Sequence, residues 1–254
     1  MRHWLAGIVA ALGALCVASG ALAAASPFAD WAAVVVSGDF HAAHTQNPTE
    51  TFDNARRDVA AELIRKGFTA ANVRQFSVRP ELYPDVKPGK ADLEPIYESL
   101  KGLAAQAKAG CLIYFSSHGS PQGVVLNGRI LPPELMDQMI SDACGRRPTI
   151  VIISACFSGV FVPALADTNR MILTAARPDR SSFGCSESDK YPYFDTCMLQ
   201  VMPQAHDFVA LAPKVQQCVA DRETQLGASP PSEPQVYVGP ELRFVLPLMA
   251  FEPG

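Results

Sequence analysis

Apolar positions change period along this chain, alternating between unbroken runs and a spacing of three to four. Ala32 to Ser37 is an apolar run ending in Ser-Gly-Asp, the pattern of a strand covered on both faces. Thr51 to Lys66 then carries Phe52, Ala55, Val59, Leu63 and Ile64 on one helical face, and Gly67 stops it. The unit repeats as a strand over Val73 to Val78 and a helix over Ala91 to Ala109, with Leu93, Ile96, Leu100, Leu103 and Ala107 inward. A third strand is predicted at Cys111 to Phe115, followed by a hairpin across Val124 to Ile130 and a helix from Pro132 to Cys144. Thr149 to Ser154 is the most β-branched apolar segment and belongs at the sheet centre, and Arg170 to Ala175 is a fifth strand. Beyond Tyr191 the pattern predicts helices over Phe194 to Val201 and Asp207 to Arg222. An extended proline-rich stretch from Ser229 to Pro234 and a short last strand over Leu242 to Leu246 follow.

Strands that alternate with helices require crossover connections, so the fold class is α/β, with a mostly parallel central sheet flanked by helices. A length of 254 residues suits one sizeable domain. The formal charge of −4, with Lys and Arg scattered along the chain, excludes the basic surface that nucleic acid or an anionic membrane would ask for. The first 24 residues stand apart: Arg2 and His3, an apolar run from Trp4 to Ala18, then a small-x-small cleavage pattern at Ala21-Leu22-Ala23 or Ala23-Ala24-Ala25. This is the pattern of a signal peptide, too short and too interrupted for a membrane anchor. Residues 25–254 are then one exported domain, periplasmic or secreted, with no stable membrane insertion after leader removal. Oxidation is expected there. Cys144, Cys185, Cys197 and Cys218 are the candidates for disulfides, while Cys111 opens a buried strand and Cys156 has another chemical context.

Parallel sheets present ligands beyond the carboxyl ends of their strands. The third strand delivers His118-Gly119 there, and the central strand delivers Ala155-Cys156-Phe157-Ser158-Gly159 at what should be a helix start. A helix start lowers a thiol's pKa and offers free backbone N–H groups. A thiolate at Cys156 attacks an amide carbonyl, an imidazolium at His118 protonates the leaving amine, and the N–H groups of Gly119 and Cys156 are placed to hold the oxyanion. No cluster has the spacing of a zinc site and no phosphate-binding glycine loop follows the first strand, so neither metal nor cofactor is expected. His41 and His44 follow the first strand on the same side; Asp39 is either an orienting partner of His118 or a turn residue.

Tyr114-Phe115-Ser116-Ser117-His118-Gly119-Ser120, followed by Ile153-Ser154-Ala155-Cys156-Phe157-Ser158-Gly159, resembles the paired motifs of the legumain family of cysteine peptidases, relatives of caspases. Ala175 to Cys185 is similar to that family's Ser-Ser segment beside the primary specificity pocket, and the resemblance spans roughly Ala32 to Asp195. It implies a caspase-like three-layer sandwich, a catalytic dyad of His118 and Cys156, an oxyanion donor at Gly119, and substrate contacts at Ser154, Ser181 and Ser182. The expected partner is a peptide or protein substrate. The family's specificity Arg and Glu fall near Thr51 and at Ser154, so a preference for Asn or Asp does not carry over. Ser117 stands where members with ligase activity have Asp, so transpeptidation is not expected. Two other readings stay open: an inactive peptide-binding protein of the cell envelope, and a thiol amidase acting on small molecules.

Overall fold

The structure is a computed structural model and describes residues 25–253; the expected leader lies outside the described residues. Seven strands form one sheet in the order β10-β9-β8-β4-β1-β2-β3. In chain order they are β1 (Trp31–Ser37), β2 (Val73–Ser77), β3 (Gly89–Lys90), β4 (Gly110–Ser116), β8 (Thr149–Ser154), β9 (Arg170–Thr174) and β10 (Gln235–Val238). All pairings are parallel except that of β10 with β9. A small antiparallel sheet of β5 (Gly119–Ser120), β6 (Gly123–Leu126) and β7 (Arg129–Leu131) grows out of the end of β4. β1, β4 and β8 are buried at every position, as their unbroken apolar runs require.

Helices cover both faces of the sheet, giving three layers. Alternate residues of β1, β4 and β8, among them Val35, Tyr114 and Ile152, face α1 (Thr51–Arg65), α5 (Tyr193–Val201) and α6 (Phe208–Leu226). The intervening residues, among them Val36, Phe115 and Ile153, face α2 (Leu93–Gln106), α3 (Pro133–Cys144) and α4 (Phe161–Leu165). The α2 stripe buries Ile96, Leu100 and Leu103 as the spacing predicts. Among the described residues no helix is long and apolar enough to cross a membrane.

Three expectations are corrected. The last strand is Gln235–Val238, and Leu242–Val245 is a short helix, α7. Leu242 and Leu246 are buried while Phe244 and Leu248 are exposed, so apolarity there has the four-residue period of a helix turn. The disulfides join Cys111 to Cys144 and Cys197 to Cys218, with Cα separations of 6.2 and 5.6 Å; Cys156 and Cys185 are free thiols. Burial in a central strand did not isolate Cys111, because its side chain faces the layer in which α3 ends at Cys144. Cys156, finally, does not open a long helix: a turn at residues 155–157 leads into a 3-10 turn at Ser158–Val160 and then the five-residue α4.

Candidate active site

β4 and β8 are parallel neighbours whose last paired residues are Ser116 and Ser154. His118 and Cys156 each lie two residues beyond that pair. Neighbouring strands are about 4.8 Å apart, so the two chains leave the same rim side by side. Both residues line one cleft of about 750 Å³ with Gly119, Ala43, His44, Ser181 and Ser182 among its walls. A larger cavity of about 1140 Å³ lies between α2, α3 and the β6–β7 hairpin, but its lining holds no Cys, His or Ser.

Backbone contacts hold the site tightly. Gly119 packs on the carbonyl of Cys156, which a Cβ at residue 119 would approach to 2.1 Å, so only glycine fits. Phe157 has φ +57, a left-handed conformation rare for an aromatic residue, and its N–H donates to the carbonyl of Arg180 at 2.8 Å. Gly159 lets Pro178 approach, since a Cβ there would lie 2.6 Å from the proline ring. The turn carrying Cys156 is thereby bound to the segment carrying Ser181 and Ser182.

The Ser182 N–H donates to Cys156 Sγ at 3.3 Å, and its carbonyl and hydroxyl oxygens lie 3.5 and 3.6 Å from the sulfur. Among the described residues Sγ has no hydrogen bond with His118. The His118 Nε2 lies 2.8 Å from the carbonyl of His41, and since a carbonyl only accepts, Nε2 carries a proton and Nδ1 is the nitrogen left unengaged. Phe52 meets the imidazole edge to face, with ring centroids 5.0 Å apart. Asp39 does not touch His118: its carboxylate accepts from the Phe40 and His41 N–H groups and from the His41 ring, fixing the loop whose carbonyl holds His118. His44 lines the cleft.

Ser181 and Ser182 line the cleft, and Ser154 does not. It is buried, and its hydroxyl donates to Asp195 Oδ2 at 2.7 Å. The side chain at the last position of β8 points into the α5 layer, so substrate contact at Ser154 is corrected to an internal hydrogen bond. Thr51 is buried as well, donating to the carbonyl of Asp189 at 2.6 Å. Cys185 borders the cleft, yet burial holds its thiol well above the usual range, with the charge of Cys156 adding to the effect. Sequence reasoning missed the His41 carbonyl, Phe52 and Asp195. Phe52 showed only as a helix-face apolar residue and Asp195 as one acid in an indistinct segment, and a backbone carbonyl leaves no mark in the side-chain pattern. Among the described residues no group of three His, Cys, Asp or Glu is gathered to hold a metal.

Against known proteins, the sequence profile of the peptidase C13 family matches residues 14–222. A search of curated proteins finds no significant match. Among solved structures, caspase-1 from Spodoptera frugiperda superposes with a TM-score of 0.59 at 15% identity, covering 84% of this chain and 88% of that one. That likeness is one of fold and places the three-layer sandwich in the caspase-like class.

Proposed function

From the premise that the chain belongs to the peptidase C13, or legumain, family, we propose that it is a cysteine endopeptidase acting through Cys156 and His118. The observation that carries this reading is the exit of both residues from adjacent strands into one cleft, with the imidazole held by the His41 carbonyl. In the proposed reaction the Cys156 thiolate attacks the scissile carbonyl carbon and the oxyanion is received by the N–H groups of Gly119 and Cys156. The C–N bond breaks as the imidazolium gives its Nδ1 proton to the leaving amine, producing a thioester. A water molecule, deprotonated by the same imidazole, then hydrolyses the thioester and restores the thiol. Ser181 and Ser182 border the peptide. Their segment is anchored to the nucleophile's turn, so substrate held there is held in register with the sulfur.

Export to the periplasm or medium is part of the proposal. It is supported by the leader pattern of residues 1–24 and by two disulfides, which suit an oxidising compartment. The test combines hydrolysis of a mixed peptide library with alkylation of the thiols. Cys156 should alkylate far faster than the buried Cys185, Cys156→Ala should abolish hydrolysis with Tm changed by only a few degrees, and His118→Ala should remove turnover. An unaltered rate of peptide cleavage in Cys156→Ala would refute the proposal, and cleavage confined to small amides would favour the amidase reading.

A further inference from the structure

Beneath the two candidate catalytic residues lies a carboxylate that the proposed reaction does not use. Asp195 is fully buried in the first turn of α5. Its Oδ1 accepts from the Tyr114 hydroxyl at 2.6 Å, and its Oδ2 accepts from both Ser116 at 2.9 Å and Ser154 at 2.7 Å. Ser116 and Ser154 are cross-strand partners, so one oxygen atom joins the last paired residues of β4 and β8. Two residues farther along each strand stand His118 and Cys156.

Stability alone gives little reason for such a group. A buried carboxylate is costly, and apolar residues of similar volume at such sites are often neutral or more stable. Three hydroxyl donors and the helix N-terminus offset part of that cost. What the arrangement does geometrically is fix the distance and register of two strand ends where the backbone ladder between them stops. Resting on the peptidase reading above, we infer that Asp195 is a positioning residue for that reaction, holding His118 and Cys156 in their mutual placement through Ser116 and Ser154.

The clamp has a chemical handle. Burial raises the Asp195 carboxyl to about 6 despite its three donors. The titratable groups that bear on it are Tyr114, itself pushed well above the usual range by burial and by Asp195, and the Cys185 thiol, on which Asp195 acts at longer range. From α1, the buried Asp53–Arg56 pair is internally matched and makes no ion pair with Asp195. Protonation turns the acceptor into a donor, so the carboxyl group can no longer accept all three hydroxyls as it does when ionised.

Asp195→Asn imitates the protonated acid and is the test. At pH 7.5 kcat should fall roughly tenfold to a hundredfold, the scale of small misplacements of reacting groups, while KM stays within about threefold. The ratio of wild-type to variant kcat should then shrink toward one as pH drops through about 6, because the wild type comes to resemble the variant. Structural damage alone would leave that ratio constant, and a constant ratio or an unchanged kcat overturns the inference. Should Asp195→Asn fail to fold, Ser116→Ala and Ser154→Ala remove one donor each. Either should lower kcat more than it raises KM, and normal kcat in both overturns the clamp. If the wild type cleaves no peptide at all, the peptidase reading fails by itself. The pH profile of Cys156 alkylation, compared between wild type and Asp195→Asn, still decides whether the carboxylate governs the thiol: a profile moved by the substitution upholds the coupling, and an identical one overturns it.

Discussion

Replacing Gly119 with Ala adds one methyl group at the point where β5 crosses the turn of Cys156. The new Cβ would stand 2.1 Å from the Cys156 carbonyl oxygen and 3.0 Å from the Ala155 Cβ. A carbon and an oxygen normally meet no closer than about 3.3 Å even in weak C–H···O contacts, so one backbone segment must move by about 1 Å. Neither can do so freely. Residue 119 is held by pairing with Val124, and the Cys156 turn is held by the Phe157–Arg180 hydrogen bond. The displacement therefore falls on the relation between the imidazole and the sulfur, where 1 Å can cost about a hundredfold in rate. Overpacking of this kind costs about 1–3 kcal/mol, equivalent for a domain of this size to a fall in Tm of about 3–10 °C. Peptide hydrolysis should drop far more than stability explains, as measured by kcat/KM alongside thermal unfolding. A Gly119→Ala protein with wild-type kcat/KM would refute the packing argument at this site.

Further predictions concern cysteine pairing, disulfide stability and pH. Peptide mapping of the unreduced protein should recover Cys111 linked to Cys144 and Cys197 linked to Cys218, with Cys156 and Cys185 as the thiols available after unfolding. Replacing both Cys197 and Cys218 with Ala should cost about 3 kcal/mol in urea unfolding, the loss typical of a loop of this length. For Asp195, the folded-state value of about 6 lies above the 3.8 of an ordinary aspartate. The folded protein thus binds the proton more tightly than the unfolded chain, so this group's contribution to stability is complete below about 3.8 and is lost as pH rises through about 6. The two values correspond to about 3 kcal/mol. Urea midpoints measured from pH 4 to pH 7 should show a downward component in the wild type that is missing from Asp195→Asn.

Much of this architecture could be read in one dimension, because the forces that select it act over short stretches of chain. β1, β4 and β8 are covered on both faces, and such strands must be apolar at nearly every position, so their runs stand out without any partner being known. The helices between them show their buried stripes for the same reason, and the alternation of the two implies a parallel sheet. Its carboxyl rim then gathers His118 and Cys156, so the candidate dyad follows from the order of strands and helices along the chain. Short-range signals failed where a residue's role depends on what arrives from elsewhere. Leu242 to Leu246 is too short for period alone to separate strand from helix, and β10 was settled by the free edge of β9. Cys111 looked isolated because its partner lies 33 residues away on another layer. Ser154 is the plainest case: the family resemblance implies substrate contact there, yet strand pleating turns its hydroxyl inward, where α5 brings a carboxylate from 41 residues along the chain. A buried polar group must be satisfied by whichever partner the packing supplies, and only the tertiary structure decides which one that is.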